Sequence, residues 1–328
     1  EPPGARGCAH HRLQPPAPGD SRWREIRSHQ RVNHFPGTFQ IGRKDRLTKA
    51  LGRLRRRGGR GVADFYPPTH ILPQAYEQFK NDFAASKGQA WIWKPCASAR
   101  GIGIKVVTKI EQVDKGKAGL IQRYVDRPLL LNGFKFDMRI YVLGTCLNPL
   151  RLYMHREGLV RLSSRPYERA RKGATRSRFV HLTNYSVNKK SSTFEARTDA
   201  DLEAESGNKW SLRALWRHLL RLGRTQEELD VLWEEVKRVV GKAFVAAEDR
   251  MYMQTAVAGL SRGACFELWG VDVLVDQGLK PWLLEVNTCP DMSASSPLDR
   301  VIKGGVFTDA FNVVGLELAP CPSPAAAA

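Results

Sequence analysis

The chain has 328 residues, 42% of them hydrophobic, and carries 52 Lys and Arg against 33 Asp and Glu for a formal charge of +19. That length is enough for two or three packed layers or two subdomains, and no apolar run approaches the ~18 residues of a membrane span. Nothing argues for a secretory leader, and the six cysteines (Cys8, Cys96, Cys146, Cys265, Cys289 and Cys321) form no C-x-x-C, which suits reduced thiols better than a zinc site or a disulfide framework.

The charge is uneven: residues 1–61 hold 15 Lys/Arg against 4 Asp/Glu, and residues 151–180 hold 9 against 2. Such surfaces attract polyanions (nucleic acid, anionic membrane or acidic protein tails) unless they serve only solvation. Residues 1–30, poor in apolar side chains and rich in Pro and Arg, are expected to be poorly ordered. The start at Glu1 rather than Met reads as a fragment boundary. Pro36-Gly37 marks a turn before a basic helix running to about Leu54, and "RRRGGRG" (55–61) reads as a loop. "AYEQFKNDFAASKG" is a helix with Gly88 just past its end.

The pattern then changes. "AWIWKP", "GIKVVTKI", "AGLIQRYV", "KFDMRIYVLGTC", "LRLYMHREG" and "GLVRLSS" are short β-branched or aromatic runs bounded by Gly, Pro and Asn, so the middle is sheet-rich. Phe136, Met138, Ile140 and Val142 alternate with Asp137, Arg139 and Tyr141, as in a half-exposed strand. Two helices follow. "NKWSLRALWRHLLRLG", with Lys209 at its start, puts Leu212, Leu215, Trp216 and Leu219 on one stripe. Thr225 and Glu228 form a capping-box signature ahead of a second helix, on which Leu229, Leu232, Trp233, Val236, Val239 and Val240 recur; its tryptophans read as core. "ACFELWGVDVLVD" and "LKPWLLEVN", joined at Gln277-Gly278, are close enough for an antiparallel hairpin.

In that hairpin Glu285 and Asn287, two residues apart, point to one face, and Asp272 lies opposite if the strands pair. Two carboxylates so close require a protonated partner or a cation between them. Oxygen ligands without His or Cys suit Mg²⁺ completed by water and phosphate oxygens, against the plainer reading of a buried Asp paired with an Arg. "WIWKPCASARGIGIKVV" supplies a phosphate holder: a strand, Lys94, a small-residue loop with Arg100, Gly101 and Gly103, then another strand. Alone, this G-x-G is equally a hairpin turn. It is neither a Walker A loop nor a Rossmann fingerprint, and protein-kinase signatures are missing.

The stretches "WIWKPCASARGIGIKV", "LIQRYVDRPLLLNGFKFDMRIYV", "GLVRLSS", "HLTNYSVNKK" and "PWLLEVNTCPDMSASSPLD" occur in order, and together they closely resemble the tubulin tyrosine ligase-like family over roughly residues 30–318. "ASARGIGI" and "HLTNYSVNKK" look most like its polyglutamylase members, in particular the branch associated with initiating glutamate side chains. The resemblance implies an α+β, ATP-grasp fold, two subdomains enclosing a nucleotide, here at 91–318. It also implies a remnant N-terminal subdomain at 31–90 and a tail at 319–328. ATP would be held by Lys94, Arg100, Gly101, the hinge Gln122, Arg123, Tyr124 and Val125, then Lys135, Phe136 and Asp137, and Thr183 and Asn184. Mg²⁺ would be held by Asp272, Glu285 and Asn287.

Free glutamate would be met by Arg161, Lys209 and Lys303, with Tyr185 and Ser186 beside them, and Arg100, Arg161 and Lys303 would be the catalytic cations. Without the resemblance, Arg161 and Lys209 serve equally as surface charges, and His181 equally as a loop anchor or a catalytic group. The implied reaction is ATP- and Mg-dependent ligation of glutamate to the γ-carboxylate of glutamates in acidic tubulin C-terminal tails. It would run through an acyl phosphate to an isopeptide bond. Glycine or tyrosine ligation, or an inactive basic microtubule-binding module, are the alternatives. Tubulin tails, microtubules and free L-glutamate are the expected partners, with no nucleic acid, no membrane and a monomeric chain. The cytoplasmic cytoskeleton, including cilium and basal body, is the expected location.

Overall fold

Strict alternation along one long strand organises the fold. In the computed structural model, which describes residues 20–26, 30–59, 61–86, 88–96, 101–170 and 177–315, the elements in chain order are α1 (Phe39–Gly42), α2 (Lys44–Gly58), β1 (Thr69–Leu72), α3 (Tyr76–Ala85), β2 (Trp91–Lys94), β3 (Lys105–Val107), β4 (Gly119–Arg123) and β5 (Leu130–Leu131). They continue with β6 (Phe134–Leu147), β7 (Leu150–Leu162), α4 (Arg178–His181), α5 (Tyr185–Asn188), β8 (Lys209–Ser211), α6 (Leu212–Arg221), α7 (Gln226–Val257), β9 (Glu267–Val275), β10 (Pro281–Asn287) and α8 (Pro297–Val314). The strands make two antiparallel sheets. One has the order β1-β4-β2-β3, the other β10-β9-β6-β7-β8 with β5 beside β6.

On β6 the side chains of Phe136, Met138, Ile140 and Val142 enter the main core, where they meet Val271 and Val273 of β9 and the buried stripe of α7, including Val236, Val240, Phe244 and Met251. The opposite face of the same sheet is divided. Its far half carries Tyr141, Leu143, Leu159 and Leu268 under Leu298, Ile302 and Val306 of α8. Its near half carries Asp137 and Arg139, which no apolar helix covers. The smaller sheet turns Trp91 and Trp93 toward Phe79 of α3, leaving Ile92 and Lys94 to face the larger sheet across a cleft.

Several expectations shift. Residues 1–19 and the 319–328 tail lie outside the described residues, but Ser21–Glu25 form a 3-10 turn that buries Trp23, so poor order does not extend there. Helix α2 runs on to Gly58, taking Arg55 to Arg57 out of the expected loop. "LRLYMHREG" and "GLVRLSS" are one strand, β7. Gly158 sits inside it because a Cβ there would come within 2.5 Å of the Arg139 carbonyl oxygen. Lys209 lies on the short edge strand β8 rather than on a helix. The boundary expected at residue 90 runs through the smaller sheet, because β1 pairs with β4. The capping box is present: Thr225 Oγ1 accepts from the Glu228 N–H and Glu228 Oε2 from the Thr225 N–H.

Phe244 lies edge-on to Trp269 with centroids 4.7 Å apart, both fully buried between α7 and β9. Phe244→Ala should therefore destabilise the fold by about 3–5 kcal/mol, read as a lower denaturant midpoint with little change in slope.

Candidate active site

Cross-strand register builds the site. Glu285 of β10 pairs with Asp272 of β9, Asp272 with Arg139 of β6, Asp137 of β6 with Arg161 of β7, and Arg161 with Lys209 of β8. A band of charged side chains of both signs thus crosses five strands on the near half of the sheet. Its members are mostly buried, and buried charges persist only when paired. Arg139 grips Asp272 in a fork at 2.5 and 3.0 Å. Arg161 grips Asp137 at 2.7 and 2.6 Å and reaches Asp272 at 2.8 Å. Thr183 adds a 2.7 Å hydrogen bond to Asp137. Burial opposes ionisation of Asp272, yet the two guanidinium groups hold its carboxyl well below the usual range.

Glu285 is paired with Lys44, at 2.8 Å, from the first turn of α2. Asn287 completes the corner: its Nδ2 lies 3.4 Å from Asp272 Oδ2 and 3.4 Å from Glu285 Oε1. The three residues expected on the metal therefore converge, and they are the hard oxygen carriers magnesium prefers. Among the described residues no cluster of three or more His, Cys, Asp or Glu forms a closed metal site. An ion here would need further oxygens, as magnesium does when phosphate and water complete its shell. The donor set fits such an ion.

The cleft in front of this band holds about 790 Å³ of empty space, open solvent at its mouth included. Lys94, Gly101, Gln122, Arg123, Tyr124, Val125, Lys135, Asp137, Thr183, Asn184, Asp272 and Glu285 all line it. Lys94 donates to Gln122 Oε1 at 2.7 Å, and Gln122 in turn donates to Thr69 at 2.8 Å. Lys135 donates to the Tyr124 hydroxyl at 2.9 Å and the His181 carbonyl at 3.1 Å. Burial depresses both lysines, Lys94 to about 8 and Lys135 to about 7. His181 is buried with its Nδ1 3.1 Å from the Tyr124 hydroxyl, the contact of a loop anchor. Gly101 has φ +73°, and a Cβ there would come within 2.8 Å of Asn184 Oδ1, so only glycine lets this loop close against Asn184.

Phe136 is a correction. It alternates away from Lys135 and Asp137 into the main core and does not line the cleft. Arg123 lies over the Trp91 ring, 5.8 Å from its centroid. Arg100 lies outside the described residues.

Beyond Arg161 the band ends in a second group. Lys209 Nζ is 2.7 Å from Asp299 Oδ2 and 4.3 Å from the Tyr185 ring centroid. Lys303 Nζ is 3.4 Å from Asp299 Oδ1 and donates to the Ser293 carbonyl at 2.7 Å. Ser186 is half-buried in α5 beside Tyr185. The three cations expected for an amino-acid substrate are thus split: Arg161 is held by Asp137 and Asp272, and the two lysines by Asp299. Motif reading missed Lys44, which comes from a distant helix, and Asp299, whose only signal was the "SPLD" helix start.

A model described as the tubulin-tyrosine ligase family matches residues 23–321. The chain belongs to that family. Human tubulin monoglutamylase TTLL4 is 44% identical over 312 residues, 95% of this chain and 25% of the relative. Human tubulin polyglutamylase TTLL5 is 40% identical over 302 residues, 92% of this chain and 23% of its own length. Tubulin polyglutamylase ttll-4 of Caenorhabditis elegans is 36% identical over 301 residues, 92% and 48% respectively. The chain spans about a quarter of the length of the first two. As in the tubulin-tyrosine ligase family generally, its α+β architecture is ATP-grasp-like, with the cleft between the two sheets.

Anionic phosphate favours protonated amines, so nucleotide affinity should weaken as pH rises from about 7 to about 9, where Lys135 and then Lys94 lose their protons in the empty cleft. Calorimetry at about pH 8 in buffers of different ionisation heat should show proton uptake on nucleotide binding; a flat pH profile without uptake contradicts this.

Proposed function

We infer that this chain is an ATP- and Mg²⁺-dependent ligase that adds glutamate, through an isopeptide bond, to γ-carboxylates of glutamates in acidic tubulin C-terminal tails. One observation carries the reading: a single band of charge joins an oxygen-donor corner at Asp272, Glu285 and Asn287 to a pair of lysines, Lys209 and Lys303, on a buried carboxylate. The names of the relatives, tubulin mono- and polyglutamylases, support the same substrate. The chemistry supplied from outside is a phosphoryl group that activates the acceptor carboxylate and a divalent ion that screens its charge.

The chain's own residues do the rest. Lys94 and Lys135 supply positive charge where phosphates would lie, and Gly101 lets backbone N–H groups approach. Asp272, Glu285 and Asn287 would hold the ion. Arg139 and Arg161 keep Asp272 ionised and oriented, which preorganises the corner before any ligand arrives. Lys209 and Lys303 face the incoming amino acid. Glutamate has two carboxylates and glycine one, so cations beyond the band favour glutamate over its smaller rival. Arg161 serves both ends, as the residue shared by Asp137, Asp272 and the strand neighbour of Lys209. Action at the cytoplasmic cytoskeleton, including cilia, belongs to this proposal.

The test is mass spectrometry of tubulin and of a tail peptide after incubation with ATP, Mg²⁺ and equal glutamate, glycine and tyrosine. Glutamate should appear on internal glutamates with the wild type and not with Glu285→Gln. Glycine or tyrosine addition, or an active Glu285→Gln protein, would overturn the assignment. Asp299→Asn should leave two buried lysines uncompensated and raise the KM for glutamate about tenfold or more, with the ATP KM little changed. Equal changes in both would instead make Asp299 a general structural residue.

A further inference from the structure

Helix α2 presents two faces. Leu47, Ala50 and Leu51 are buried in the main core. Arg46, Lys49 and Arg56 are exposed and Arg53 half-buried on the other side, at the i, i+3, i+7, i+10 spacing that lines residues up along a helix. The segment 44–58 holds seven Lys/Arg against one Asp. Its ion pairs are Asp45 with Arg43 just before the helix, Lys44 with Glu285 and Arg57 with Asp249. Among the described residues Arg46, Lys49, Arg53 and Arg56 make none.

Other basic surface helices differ. On α7, Lys237 is paired with Glu234, Arg238 with Glu235, and Arg224 just before it with Glu228. On α6, Arg217 is paired with Glu203 and Arg221 with Glu205. Like charges three and four apart destabilise a helix, and α2 accumulates them where the basic residues of α6 and α7 just named are balanced. Arg250 of α7 adds to the crowding: burial and then Arg250, Arg57 and Arg56 lower the Arg53 pKa.

The stripe also leads somewhere. Lys44, two residues before Arg46, is bonded to Glu285 in the candidate site. Lys44 itself lines the cleft, so the near end of the stripe begins two residues from its wall. We propose that the Arg46, Lys49, Arg53 and Arg56 face of α2 is a docking track for a glutamate-rich acidic peptide whose reactive residue enters the cleft past Lys44. From Arg46 to Arg56 the track is about 15 Å long, the length of about five residues of extended chain. It therefore takes the peptide flanking the acceptor and not the acceptor itself. This rests on the ligase reading for the acceptor's fate, but not for the binding.

The experiment uses the full chain and the triple variant Arg46→Glu, Lys49→Glu and Arg56→Glu, none of which belongs to the site. Fluorescence anisotropy follows a labelled glutamate-rich peptide of about twelve residues, its glutamine counterpart and an oligonucleotide of equal charge. Three exposed charges reversed should weaken the acidic peptide about tenfold or more, and rising salt should erode the wild-type affinity toward that of the variant. The glutamine peptide should bind neither protein, and ATP should bind both equally, showing that the variant is folded with its cleft intact. In ligation, the KM for the long acceptor should rise with kcat held, while a short acceptor is unaffected. Equal peptide affinity in the two proteins overturns the proposal. So does an oligonucleotide that outcompetes the peptide on the wild type and is lost in the variant. Absence of ligation on both acceptors would sink the enzymatic reading alone, since anisotropy still decides the track.

Discussion

Asp272 and its two arginines are the constraint around which the site is arranged. A carboxylate 2% exposed is costly unless ionic partners and hydrogen bonds satisfy it. Arg139 supplies a fork from the adjacent strand, and Arg161 reaches in from the strand beyond while holding Asp137. Each guanidinium is in turn fixed by the register of β6 with β7 and β9. Removing one member would leave a buried opposite charge, so the band stands or falls together. That is why a site of several charges can sit on a sheet whose other face sends Phe136, Met138, Ile140 and Val142 into the main core.

The sheet is used twice along the same strands. Near one end of β6 its outer face is charged and borders the cleft; a few residues on, Tyr141 and Leu143 on the same face are sealed by α8. Helix α8 also carries Asp299 and Lys303, so the element that closes the apolar half delivers the last charges of the polar half. Packing and chemistry are therefore coupled through one helix. A displacement of α8 would be felt at Lys209 as well as in the core.

The oxygen-donor corner was legible in the sequence because period-two spacing and a short turn nearly dictate that Glu285, Asn287 and Asp272 meet. The cleft was legible through motif order, and every described residue expected to line a nucleotide there except Phe136 lines it. Phe136 was assigned by its place in a motif, whereas the alternation of the same strand already turned it inward. The partners of the carboxylates were not legible. Lys44 lies on a helix with no local sign of reaching β10, and the Arg139–Asp272 pair exists only through strand register. Gly158 read as a terminator, because nothing local says that it admits a neighbouring carbonyl. Helix α8 begins with a Ser296-Pro297 start, yet Gly304 and Gly305 in its middle obscure its period.

The segment before β1 is stitched to the last two strands at many points. Val32 bridges Cys265, Phe35 N–H and Thr38 hold Glu267, the Phe65 carbonyl accepts from Leu283, and Lys44 neutralises Glu285. The first and last parts of the chain thus share one electrostatic unit, although the smaller sheet lies between them in sequence. Modular exchange is accordingly constrained. A chimera that grafted the opening helices of one relative onto the catalytic strands of another would have to match a cation on one piece to a carboxylate on the other. Where that pairing failed, the mismatch would fall inside the candidate site, at Glu285, and not on a seam at its edge. A change at Lys44 of α2 would therefore act on Glu285 of β10, two positions that lie far apart along the chain.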